Sequence, residues 1–215
     1  MSTSVQERLS RAITEIREDD IDDLVQEALH AGMSPRQIML EGLAPGLDEV
    51  GRLYSQGVYF LPELVMAGDA VKRAMDILDP LFASAGGEGR PGRVVIGTVQ
   101  GDVHDIGKNM VITMLKGSGY EIIDLGVNVA TPDFVNAVRE HQPDILALSA
   151  LLLTTRAKMI QVINGLVEAG LRSDVRVLVG GCPVDQDFAD QIGADGYGKD
   201  AIDAVAAANR LVSQL

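Results

Sequence analysis

The segment Gly101-Asp102-Val103-His104-Asp105-Ile106-Gly107-Lys108-Asn109 sets an imidazole two residues after a carboxylate and three before a glycine. An imidazole held by a carboxylate through one ring nitrogen can offer the lone pair of the other to a metal or a proton. Upstream, residues 93–99 read as a buried parallel strand, and downstream, residues 108–116 read as the helix that follows. His104 therefore falls in a strand-to-helix loop, where an open α/β sheet holds its ligand. A loop histidine satisfied by local hydrogen bonds is the alternative, and it is the preferred reading for His30 and His141. Asp102 competes similarly as a turn or cap residue.

Two further signals sit in the same register. Ser149-Ala150-Leu151 ends the apolar run 144–148, and Gly180-Gly181 ends the run 175–179. The stretch 108–148 places 41 residues between the first two parts, and 152–179 places 28 between the second and third. One Asp-x-His-x-x-Gly would occur by chance in many proteins. Three parts, each at the carboxyl end of a strand, resemble the signature of cobalamin-binding domains of the methionine synthase type.

That resemblance implies the chemistry. His104 would coordinate the lower face of a corrinoid in place of the cofactor's own benzimidazole, whose nucleotide tail would insert into the sheet domain. Asp102 matches the carboxylate that holds the second ring nitrogen, and Thr155 falls where a hydroxyl completes a relay. Gly107 would let backbone and corrin approach closely. Asp105, Ile106 and Leu151 belong to the same cofactor-contacting set, although Asp105 and Asn109 suit solvated or capping roles equally well. Ser149 would bond the inserted benzimidazole, with Gly180 and Gly181 leaving room for the tail or simply forming a tight turn. The family often carries a hydroxyl two positions after Leu151, where this chain has Leu153.

Composition narrows the class. The 215 residues are 47% hydrophobic, enough to form ordered cores. With 18 Lys and Arg against 31 Asp and Glu, the formal net charge of −13 argues against nucleic acid as a partner. No apolar run approaches a membrane span, and residues 1–8 lack the apolar centre of a signal peptide, so a cytoplasmic address and no membrane partner are expected. The single cysteine, Cys182, excludes an intramolecular disulfide and reads as a small packing residue near the ligand rather than a reactive thiol.

Hydrophobic period divides the chain into two parts. Residues 1–83 carry apolar positions at three- and four-residue steps, among them Leu61, Leu64, Val65, Val71, Met75 and Leu78. Helices are expected over 4–17, 19–31, 34–55 and 61–82, forming a four-helix bundle. A glycine-rich linker follows at 84–92. In residues 93–215, β-rich runs at 93–99, 121–125, 144–149, 175–179 and 195–197 alternate with helical stretches. This predicts a flavodoxin-like, doubly wound parallel sheet of five strands, giving an α plus α/β fold overall.

The helical part resembles the cap that covers the upper corrin face in the same proteins. The resemblance implies that the segment Tyr59 to Met66, with Phe60 and Met66 as contacts, lies nearest the cobalt. Bundle-core packing is the competing reading. A cap, a linker and a cobalamin domain without a catalytic barrel look like the stand-alone corrinoid proteins of methyltransferase systems. The implied role is a methyl carrier, with one methyltransferase loading the cobalt and another unloading it to tetrahydrofolate or a thiol. A reductive activator would rescue oxidised cobalt. Three alternatives remain. The first is the cobalamin subunit of an adenosylcobalamin mutase, and the second is a cobalamin-dependent sensor, although no basic recognition segment precedes residue 4. The third is a flavodoxin-like signalling domain without corrin.

Overall fold

The computed structural model describes residues 4–84 and 91–213. Most of the expected linker, residues 85–90, lies outside the described residues. The chain forms two compact units, Met1–Arg90 with Thr113–Tyr120, and Pro91–Ile112 with Glu121–Leu215.

In the first unit, α1 (Val5–Thr14) opens with a reciprocal cap: Ser4 Oγ accepts from the Glu7 N–H and the Glu7 carboxylate accepts from the Ser4 N–H. The sequence carries this helix to 17. It stops at Thr14 because Ile16 takes a left-handed backbone, φ 57°, a conformation unusual for a β-branched residue. After the 3-10 turn Glu18–Asp20, α2 covers Ile21–His30.

The expected helix 34–55 begins on a second capping box, Ser34 with Gln37, and Pro35 at its first position. It comprises α3 (Pro35–Ile38), a π turn (Met39–Leu43) and α4 (Ala44–Ser55). Gly42 and Gly46 bring it close to α1. A Cβ at 42 would lie 2.7 Å from Leu9 Cδ2, and one at 46 would lie 2.7 Å from the Ser10 carbonyl.

The long α5 (Leu61–Ser84) buries Leu64, Val71, Met75 and Leu78 on one stripe, as its period requires. Leu61 and Val65, which share the apolar pattern, are 55% and 44% exposed.

The second unit is a parallel sheet built from β1 (Arg93–Thr98), β2 (Glu121–Asp124), β3 (Ile145–Ser149), β4 (Arg176–Gly180) and β5 (Gly196–Gly198). Its strand order is β2-β1-β3-β4-β5. Val95, Leu146, Val177 and Val179 face a core with Phe134, Met159, Val162 and Leu166 from α7 (Thr131–His141) and α9 (Lys158–Glu168). On the opposite face, Leu178 and Leu211 of α11 (Ala201–Val212) both close on Gly196.

The helix after β1, α6 (Ile106–Gly117), belongs to both units. Its last turns group with the helical one, where Gly68 meets Thr113 and Gly117 meets Leu47 and Val71. A division by sequence at residue 93 assigns this segment to the sheet instead.

The register aligns the carboxyl ends of four strands: Thr98 pairs with Ser149, Ser149 with Gly180, and Gly180 with Gly198. The strand order reverses between β1 and β3. In open α/β sheets the loops that leave the strands at such a switch point are where ligands bind. Among the described residues no helix is long and apolar enough to cross a membrane.

Candidate functional site

The loop after β1 begins with a parallel bridge from Val99 to Val129 and turns at Gly101, φ +86°. Asp102 follows with no exposed surface. Its carboxylate gathers five donors. Oδ1 accepts from the His104 backbone N–H at 3.1 Å and from His104 Nδ1 at 2.7 Å. Oδ2 accepts from the Leu151 N–H at 2.8 Å, the Leu152 N–H at 3.3 Å and the Thr155 hydroxyl at 2.6 Å. Thr155 is itself buried, in α8 (Leu153–Arg156). One carboxylate thus joins the loops after β1 and β3 across the switch point.

Burial alone would push Asp102 toward its neutral form. The hydrogen bonds from Thr155, the Leu151 N–H and His104 outweigh that cost and hold the carboxyl well below the usual carboxylate range. Asp102 is therefore an anion at neutral pH, and a buried anion is tolerable only because it is bonded this fully. It assigns the tautomer of the neutral ring: Nδ1 carries the proton and Nε2 keeps its lone pair.

The imidazole side chain is 47% exposed, so that lone pair is accessible. Among the described residues no three His, Cys, Asp or Glu side chains gather as a metal cage. A metal at His104 would accordingly take at most two ligands from this set, which leaves room for an ion whose other positions a macrocycle fills.

The surroundings offer apolar surface to a guest. Val103 (68% exposed), Ile106 (79%), Leu151 (40%), Leu152 (41%) and Leu153 (71%) project from the loops after β1 and β3. Burying such a side chain is worth about 1.5–3 kcal/mol, so an apolar group left open this way marks a binding surface.

Gly107 points the same way. A Cβ there would meet nothing within 4 Å, and its backbone is ordinary. Neither packing nor conformation requires glycine, although glycine inside a helix costs about 0.5–1 kcal/mol relative to alanine.

The remaining residues divide differently. Asp105 precedes α6, and its carbonyl accepts from the Asn109 N–H at 2.7 Å, a capping position. Ser149 closes β3 and accepts from the Val99 N–H through its carbonyl. Gly180 and Gly181 have reasons within the protein. A Cβ on Gly180 would lie 2.9 Å from the Gly198 carbonyl, and one on Gly181, at φ +118°, would lie 1.9 Å from the Ala150 carbonyl. Phe60 and Met66 belong to the helical unit, where they are 63% and 45% exposed. Phe60 caps α5, its N–H donating to Glu63 Oε2 at 2.8 Å.

Sequence reasoning missed three groups near the loop. Lys108 is buried and donates to both carboxylate oxygens of Asp124, at 2.8 and 2.7 Å. Asn128 accepts from the Gly101 N–H, and Thr98 donates to the His104 carbonyl. Thr98 was detectable as a polar residue ending an apolar run; nothing local marks Asn128.

The family described as B12 binding domain matches residues 92–206, and a second family of the same description matches residues 5–79. The chain is 42% identical over 200 residues to trimethylamine corrinoid protein 2 of Methanosarcina mazei, covering 93% of this chain and 92% of that protein. A corrinoid protein of Desulfitobacterium hafniense is 40% identical over 217 residues, with both chains covered fully.

The crystal structure of a cobalamin-binding protein from D. hafniense superposes with a TM-score of 0.82 at 30% identity, covering 98% of this chain and 99% of the other. A chain of the methanol:cobalamin methyltransferase complex MtaBC from Methanosarcina barkeri gives 0.81 at 34% identity, covering 98% and 80%. With its buried Asp102, half-open imidazole and apolar rim, this chain belongs to the B12-binding corrinoid proteins, and its cofactor is a cobalamin or related corrinoid.

Proposed function

We propose that the protein is a methyl carrier that works between two methyltransferases, one specific for a methylated substrate and one that passes the methyl group to tetrahydrofolate or a thiol, with a reductive activator as third partner. When bound, the corrinoid's cobalt supplies the chemistry of accepting the methyl group in its one-plus state and yielding it from the three-plus state. The observation that carries the reading is the chain Thr155–Asp102–His104, which ends in an imidazole nitrogen that could hold the cobalt.

The protein's own residues would control that ligand through one proton. With Nδ1–H bonded to Asp102, Nε2 keeps the lone pair that would hold the metal, and a proton placed there would take that lone pair away. Asp102, held ionised, would stabilise a positive charge on the ring, with Thr155 bonded to the far oxygen of the same carboxylate. Val103, Ile106, Leu151 and Leu152 would cover the lower side and exclude water, and Gly107 would admit the ring edge. Ser149, Gly180 and Gly181 line up at the ends of β3 and β4, where we place the nucleotide tail. The helical unit has its own open apolar segment, Val58, Phe60, Leu61, Val65 and Met66, which we assign to shielding the upper face.

Support for the partners comes from similar proteins named for trimethylamine and dimethylamine, and from one seen with a methanol:cobalamin methyltransferase. The test is a single turnover. Corrinoid-loaded protein, reduced to the one-plus state, is mixed with labelled methylamines, methanol or methoxy-aromatics and the matching methyltransferase. One labelled methyl per chain, removed on adding the second transferase, is expected; no label from any donor would overturn the reading.

A further inference from the structure

The His104 loop is gripped by two polar residues outside the three-part signature. Thr98, the last residue of β1, has no exposed surface, and its hydroxyl donates to the backbone carbonyl of His104 at 3.0 Å. A buried hydroxyl is costly unless it is bonded, and this one spends its bond on the residue that bears the imidazole.

Asn128, in the loop after β2, adopts φ +54°. In that conformation its side-chain oxygen accepts from the Gly101 N–H at 2.8 Å, and its own N–H donates to the Asp102 carbonyl at 2.8 Å. Residues 101, 102 and 104 are therefore each fixed through their main chain. The bond from Asp102 to Nδ1 fixes only the rotation of the ring. Where Nε2 stands above the sheet depends on the backbone at 101–104, and Thr98 and Asn128 set that backbone from β1 and from the neighbouring loop.

We propose that Thr98 and Asn128 are positioning residues for His104, presetting its Nε2 lone pair before the corrinoid arrives so that ligation requires little ordering of the loop. The inference rests on the reading of His104 as the axial ligand.

Four variants test it. Thr98→Val keeps shape and strand preference but removes the hydroxyl, and Thr98→Ser restores it. Asn128→Gly keeps the left-handed backbone but removes the acceptor, and Asn128→Asp restores it. In the apoprotein, solvent exchange of the His104 Nδ1–H is followed by nitrogen-15 magnetic resonance. In the cobalamin-loaded protein, histidine nitrogen coupling is read by electron paramagnetic resonance in the cobalt two-plus state.

Exchange should rise roughly five- to tenfold in the Val and Gly variants, the loss of one net hydrogen bond. Histidine coupling should weaken in the same two, and both signals should return in Ser and Asp. Exchange and coupling unchanged in Val and Gly, even with lowered melting temperatures, would overturn the proposal and leave these residues a purely structural part. Exchange that rises in Val and Gly while loaded wild-type protein shows no histidine coupling would overturn the axial reading, and the proposal with it, by a signature distinct from unchanged exchange.

Discussion

The His104 loop and the segment 58–66 both present apolar side chains to solvent, yet they are held by different means. Around His104, one buried carboxylate takes five hydrogen bonds and two more residues secure the main chain. Along 58–66, the Tyr59 hydroxyl donates to the Thr14 carbonyl and Glu63 caps Phe60, while Phe60, Leu61 and Met66 stand open. The contrast matches the two proposed tasks. A metal ligand must be placed to a fraction of an ångström, which calls for directional bonds in a dry setting. A shield needs apolar area and little else. Disturbing the first region should therefore damage both fold and cofactor binding, and disturbing the second should spare the fold.

The largest effect is expected for Asp102→Ala. It removes the acceptor of the Leu151 and Leu152 N–H groups and leaves the buried Thr155 hydroxyl only the Leu152 carbonyl, so urea denaturation at pH 7 should show a loss of about 2 kcal/mol or more. The pH dependence has a fixed sign. Because folding lowers the Asp102 pKa, its stabilisation is complete above the unfolded value of about 3.9 and fades as pH falls through the folded value. The gap between wild type and variant should narrow below about pH 4; a gap that widened there would contradict the ionised assignment.

Glycines sharpen the comparison next. Gly181→Ala would force a side chain onto the Ala150 carbonyl at a positive φ, and should lower stability by about 2 kcal/mol or more whether or not corrinoid is present. Gly107→Ala should do the reverse. The apoprotein should gain about 0.5–1 kcal/mol in thermal or urea unfolding, while corrinoid affinity falls. Unaltered affinity would mean that nothing approaches that face of α6. The smallest change should come from Phe60→Ala: stability within about 0.5 kcal/mol of wild type, but faster reoxidation of the reduced, loaded protein in air, followed by its visible spectrum.

The central strands β1, β3 and β4 were legible because buried parallel strands are continuous apolar runs, and all five strands lie within a residue or so of their expected spans although β2 and β5 are only partly buried. Two helical features were not. No glycine or proline announces the left-handed Ile16 that ends α1, and in the π turn Met39–Leu43 the one poor helix former, Gly42, reads only as a close approach between helices. At the site, Asp102 and His104 could be read together because they are two positions apart. Thr155 reaches the same carboxylate from 53 residues away, a contact that the β1–β3 register creates and that only the family resemblance anticipated. Thr98 and Asn128 also act through the sheet, where local sequence carries little trace of them. The signature glycines proved unlike one another: 181 is demanded by its own backbone neighbours, and 107 by nothing within the protein.

The central claim is that His104 supplies the axial nitrogen. Electron paramagnetic resonance of the cobalamin-loaded protein in the cobalt two-plus state, prepared with natural and nitrogen-15 histidine, tests it most directly. The account predicts a nitrogen coupling that changes on labelling and disappears in His104→Ala. A coupling indifferent to both the label and the substitution would contradict it.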